Sequence, residues 1–192
     1  MNRKQAYELL IKYLYNKNLL KHSLAAEASM KTIYKHLHGE DLNEIEQEKW
    51  GIAGLLHDID YQLAQETNQL DKHGLLIFEK EPGVIPEDIA HAIRAHNFEN
   101  TKETPVTDIA WAIACADQLT GFIVAAALVH PDKKLEPLTS EFIKNRMKEK
   151  SFAKGANRES ILLCEEKLGI PLNTFIELIL SSMKSISNQL EL

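Results

Sequence analysis

Cysteine is scarce in this chain: Cys115 and Cys164 are the two present among 192 residues. Each lies inside an apolar helical pattern, so no disulfide framework is expected and a reducing compartment suits the chain. Basic residues are in deficit, 22 against 28 acidic ones, which leaves a formal net charge of −6. Such a balance is a poor match to a phosphate backbone, and no nucleic-acid polymer is expected as a partner. The opening MNRKQAYELL lacks the apolar core and small-residue cleavage site of a signal peptide, so the expected location is cytoplasmic. Repeats, low-complexity tracts and long linkers are missing as well. With 44% hydrophobic and 26% charged residues, general disorder is excluded. The length fits one domain over residues 1–192.

One apolar run is long enough to cross a bilayer. From Ile109 to Val129 a single residue, Asp117, carries a charge. A central carboxylate costs roughly 2.5–3.5 kcal/mol on insertion, and no second such run accompanies it. The expectation is a buried helix at the centre of a bundle and no membrane association.

Helical periodicity runs through the whole sequence, and sustained strand alternation is absent. Tyr7, Leu10, Ile11 and Leu14 mark one face of a first helix. Asn18 reads as the cap of a second, whose inner face carries His22, Ala26, Ser29, Ile33 and Leu37. A third helix starts near Asp41 to Asn43 and reaches His57, with Gly51 and Gly54 giving a smooth packing surface. A short helix is expected around His73 to Glu79, and another after Pro86, which carries His91 and His96. Thr107 or Asp108 caps the apolar helix. The last three helices are expected at about Thr139–Lys150, Asn157–Leu168 and Pro171–Leu190. The fold class is all-α, a single-domain helical bundle.

Eight histidines exceed what a core needs. His36, His38 and His130 fall at helix ends or in loops and read as solvated. His22 is turned inward beside Ala26 and Ile33; alone it would read as a hydrogen-bonded core histidine. His57 and Asp58 leave an apolar helix end together, and Asp117 stands alone in an apolar helix. An unpaired buried carboxylate either shifts its pKa or finds a cation, and no lysine or arginine lies between Ile109 and Val129. A divalent metal resolves all three anomalies. Two imidazoles and two carboxylates form a mixed site suited to Mn, Fe, Co, Zn or Mg.

The order His22, then LLHD with His57 and Asp58, then Asp117 in ACADQL resembles the HD-domain superfamily of metal-dependent phosphohydrolases. The spacings are 35 residues from His22 to His57 and 59 from Asp58 to Asp117, and the likeness spans about residues 17–128. Many relatives read HDIG where this chain reads HDID, with Asp60 in place of glycine. The resemblance implies a helical bundle and a divalent cofactor of one or two ions. For a second ion it places His73 and His96, with Asp58 bridging; His91 reads as a partly exposed surface histidine. It further implies metal-activated water attacking a small phosphorylated metabolite or nucleotide, with Asp58 in a catalytic role. Nearness in sequence to Asp58 makes Asp60, or a histidine outside the ligand set, the expected proton relay.

Substrate phosphate also wants cationic donors. Arg94 is expected to face away from His96. The stretch RMKEKSFAKGANRES concentrates Lys150, Lys154 and Arg158 in an acidic chain. It reads either as a solvated helix end or as a segment folded over the cleft to bind substrate. FAKGANRE looks like a recurrent segment of small HD proteins, which favours Lys154 and Arg158. Gln118 and Thr120 flank Asp117 and are candidates to hydrogen-bond ligands or substrate. Two other function classes stay open: a diiron oxygenase built on the same six ligands, and a non-catalytic metal-binding sensor or interaction domain. The C-terminal helices from about 139 to 190 are left to shape the pocket, cover it or pair two copies as a homodimer.

Overall fold

Asparagine and threonine side chains start most of the long helices. Asn2 caps α1 (Arg3–Tyr13), Asn16 caps α2 (Lys17–His38) and Asn43 caps α3 (Glu44–Leu56). Each accepts hydrogen bonds from backbone N–H groups of the first turn that have no partner within the helix. Three short helices follow: α4 (Tyr61–Glu66), α5 (Leu76–Lys80) and, after α6 (Glu87–His96), α7 (Phe98–Thr101). Thr107 then caps α8 (Asp108–Val129), Thr139 caps α9 (Ser140–Met147) and Asn157 caps α10 (Arg158–Leu168). The chain ends in α11 (Leu172–Ser185) and α12 (Ser187–Leu190). The structure is a computed structural model that describes residues 1–192 apart from the side chain of Glu40. Among the described residues there is no strand, so the fold is all-α.

Two seams organise the core. The most extensive joins α2 to α3, and the next joins α8 to α10. A single apolar cluster runs from Ala6 to Leu190 across all the long helices. At the first seam Gly54 permits the approach: a Cβ there would lie 2.6 Å from the carbonyl oxygen of Ala26, a contact backbone cannot relieve. Gly51 faces only the flexible side chain of Lys31, where a Cβ would be more readily accommodated. The second helix can therefore pack directly on the backbone of the third at Gly54, and Nε2 of His22 stands 3.2 Å from Nε2 of His57.

The apolar helix α8 is long and apolar enough to cross a membrane. Here it contacts α2, α6, α10 and α11, and most of its residues are buried.

Several sequence-based boundaries move. Asn16, not Asn18, caps α2: its side chain accepts from the N–H groups of Asn18 and Leu19. On α1 the buried stripe is Ala6 and Leu10, continued by Leu14 just beyond the helix; Tyr7 and Ile11 are exposed. The segment expected to be helical from His73 becomes so only at Leu76, after a 3-10 turn at Leu70–Lys72. Pro86 and Pro171 sit one residue before their helices rather than in the first turn. The last helix breaks at Ile186.

Candidate metal centre

Each histidine of the candidate set has its outer ring nitrogen engaged. His57 Nδ1 donates to the carbonyl of Gly54 at 2.8 Å, one turn back on α3, and His96 Nδ1 donates likewise to the carbonyl of Ile93. His73 Nδ1 donates to Asp60 Oδ1 at 2.7 Å. Thr120 donates its hydroxyl proton to the carbonyl of Asp117 at 2.8 Å, so its oxygen is free to accept from His22 Nδ1, 3.4 Å away. A carbonyl only accepts, which places the proton on Nδ1 of His57 and His96. Nε2 is then the free donor atom, and all four Nε2 atoms point into one cleft.

Asp58 divides that cleft into two groups of donors. Its Oδ2 lies 3.6 Å from His22 Nε2 and 3.5 Å from His57 Nε2. Asp117 Oδ1 closes this side at 2.8 Å from His22 Nε2 and 3.5 Å from His57 Nε2. The other oxygen, Oδ1, lies 3.0 Å from His73 Nε2 and 3.6 Å from His96 Nε2. Within each group the imidazole nitrogens stand 3.2 Å apart. Lone pairs facing each other at that distance repel unless a proton or a metal lies between them. The donor set, nitrogen and oxygen atoms converging within a few ångströms, fits a divalent cation on either side of Asp58.

Charge in the cluster tells the same story. Burial would lower the pKa of His57, yet the charge of Asp58 and the hydrogen bond to Asp117 raise it from 6.5 to about 9. Burial is likewise outweighed at His73, which Asp58 and Asp60 raise to about 10. Asp58 and Asp117 pay for burial with a tendency to protonate, but the surrounding imidazoles hold both well below the usual carboxylate range. With no metal the site attracts protons; a cation would satisfy the same demand.

Asp60 does not face the cleft. It is fully buried behind His73, and its carboxylate accepts from His73 Nδ1, from the N–H of Gly74 at 2.9 Å and from that of Ile77 at 3.1 Å. The expected proton relay is corrected accordingly: Asp60 orients the ring of His73. Gly74 makes this clamp possible by adopting φ +90°, a left-handed conformation strained for any other residue. The change from HDIG to HDID thus supplies a carboxylate that fixes the ring of His73.

The basic segment is only partly where it was expected. Arg158 is not free to bind substrate: its guanidinium donates to the carbonyls of Met147, Glu149, Phe152, Ala153 and Ala156 and stacks on Phe122. The carbonyls of Glu149 and Ala153 also accept from the turn N–H groups of Phe152 and Ala156, and Arg158 gathers all five around its guanidinium. Lys150 is exposed in the turn beyond α9. Lys154 is exposed too, but sits between Ala153 and Gly155, which wall a cavity of about 320 Å³ beside His22 and Asp117. Gln118 joins that loop to the centre: its Nε2 donates to Asp117 Oδ2 at 2.6 Å, while its Oε1 accepts from the N–H of Asn157 at 2.8 Å.

His91 and Arg94 lie outside the cluster, on Glu103 and, for Arg94, Glu87 as well. Two contributors were not singled out from the sequence. Tyr61 stacks edge-on against His73 and lines the cleft; its position directly after HDID was the available signal. Asn97, next to His96, donates its side-chain amide to the carbonyl of His73 at 2.9 Å.

Comparison with known families gives one result. The family model described as HD domain matches residues 19–121, more than half of the chain and all six convergent donors. Neither a curated protein nor a solved structure matches the chain.

Proposed function

Since the chain belongs to the HD-domain family, we propose that it is a metal-dependent phosphohydrolase acting on a small phosphorylated metabolite or nucleotide. The observation that carries this reading is Asp58, whose two oxygens face separate histidine pairs. His22, His57, Asp58 and Asp117 would hold one divalent ion, and Asp58, His73 and His96 a second. Such ions supply acidified water and neutralise phosphoryl oxygens. Four imidazoles against two carboxylates favour manganese, iron, cobalt or zinc over magnesium.

The protein's own contribution is placement. Thr120 aligns His22 with the backbone of Asp117, Gln118 fixes the second oxygen of Asp117, and Asp60 fixes His73. Outer partners of this kind typically change metal affinity or activity by about 10- to 100-fold when removed. Lys154, on the loop beside the cleft, supplies an ammonium group to the substrate phosphate. Gly54 serves packing and chemistry together, since its carbonyl sets the tautomer of His57.

The test is anaerobic purification, metal analysis and assay with a panel of nucleotides, phosphomonoesters, phosphodiesters and phosphonates. Phosphate release with manganese and without dioxygen supports hydrolysis. Absence of release from every ester, under every metal, sinks it. The imidazole-rich donor set also suits two irons, which makes an oxygen-consuming reaction the second reading; its signature is iron-dependent dioxygen uptake. A metal-bound, folded protein inert in both assays indicates a sensor or interaction role.

A further inference from the structure

The metal cleft does not end at its ligands. Beyond His22 and Gly121 it continues into a chamber of about 460 Å³, whose walls are Val124, Leu128, Leu190 and Leu192. His22 and Gly121 line both this chamber and the cavity beside Asp117, so the spaces adjoin through them. At its rim Lys21 donates to Glu191 at 2.6 Å, and the two charges cancel. The chamber therefore offers mainly aliphatic walls, with Asn18 and this ion pair at its edge, the setting for an apolar group rather than a second phosphate. On the opposite flank, the recess between His96 and Asn157 is smaller, about 210 Å³, and polar, with the carboxylate of Glu99 in its wall.

Gly121 marks the passage. It lies inside α8, one turn after Asp117, where glycine is less favourable than alanine. Neither φ nor packing asks for it: a Cβ built there would meet no protein atom within 4 Å. Gly155, across the same cavity, is equally unconstrained. Both glycines are exposed, and the space a side chain would fill at either one is open to a ligand entering the cavity.

We infer that the substrate carries an aliphatic group, which passes Gly121 into the chamber while the phosphoryl group sits at the metal cluster. The inference rests on the phosphohydrolase reading for the position of the phosphoryl group, and binding tests it apart from turnover. The probes are methylphosphonate and hexylphosphonate, titrated calorimetrically into manganese-loaded protein. The hexyl compound is expected to bind at least about tenfold tighter, a fraction of what burying its additional methylenes can yield. In Gly121→Leu the ratio is expected to fall below about threefold as the leucine occupies the passage. Leu128→Gln, at an exposed wall position, should lower it by less, and thermal melts check that both variants are folded. Equal affinity for the two probes, or binding by neither, overturns the inference. So does a hexyl preference that both folded variants retain. Phosphate release from methyl and hexyl phosphate is followed in parallel. A chain-length preference in binding without release from either ester leaves the chamber standing and removes the hydrolase.

Discussion

Two buried acids of this protein are balanced in opposite ways. Glu27, on the inner side of α2, is 5% exposed and meets two cations: Arg3 forks onto it at 2.6 and 2.9 Å, and Lys31 reaches it at 2.7 Å. Asp58 is also buried, yet it faces imidazoles on both sides. Asp117, partly buried, likewise meets imidazoles and the amide of Gln118. Glu27 thus has arginine and lysine as partners, whereas Asp58 and Asp117 have neither, which suits them to a cation from outside. That difference separates an internal ion pair from a vessel for an ion, and it can be attacked from both sides.

The largest effect belongs to Asp58→Ala. Removing the carboxylate common to both donor groups is expected to abolish metal retention by elemental analysis and to lower any phosphatase activity beyond the roughly 100-fold typical of outer partners. Full metal retention in the folded variant would overturn the site assignment. Next comes Asp60→Asn. Its amide oxygen in the place of Oδ1 can still accept from His73 Nδ1 and Gly74, which leaves the NH₂ against the N–H of Ile77. His73 then loses the charged acceptor that fixes its ring, and its hold on a cation weakens. A fall in metal affinity of about 10- to 100-fold is expected in a competition titration with a chelator, with little change in fold.

On the structural side, Arg3→Met leaves Glu27 with Lys31 alone. Because 44% of the Arg3 side chain is exposed, the expected loss is about 1–2 kcal/mol, below the value for a fully buried pair. Denaturant melts would measure it, and metal content should be unchanged; a loss of metal here would erase the contrast between the two regions. The remaining effect is in pH. In chelator-treated protein His57 and His73 titrate at about 9 and about 10 instead of near 6.5. Raised values mean that the folded state holds these protons more firmly than the unfolded one. Their contribution is complete below about 6.5 and is lost as pH climbs through 9 to 10. Metal-free protein should therefore melt progressively lower over that window, whereas metal-loaded protein should not share the slope. Binding of the cation should tighten with rising pH, since it displaces the same protons.

The sequence showed the ligands better than their supports. His22 was legible from a helical stripe and Asp117 from its isolation in an apolar run, because both signals are periodic and local. Asp60 was read from its nearness to Asp58, but the chain turns between Leu56 and Tyr61, and neighbours in a turn point to different sides. Arg158 was visible as a charge; which carbonyls turn towards it depends on how the loop closes, and no local pattern records that. The pairing of Arg3 with Glu27 spans 24 residues and two helices, again without a periodic mark. Capping residues were recognisable by type, while the choice of Asn16 over Asn18 came down to which one the first turn could reach.

The bond from Asn157 to Gln118 ties a stretch beyond the family-matched residues to a carboxylate within them. An HD protein that rewrites this loop alone would re-aim Asp117 without altering one of the six donors. Diversity of reaction in such a lineage can therefore arise at the periphery while its innermost chemistry stays constant.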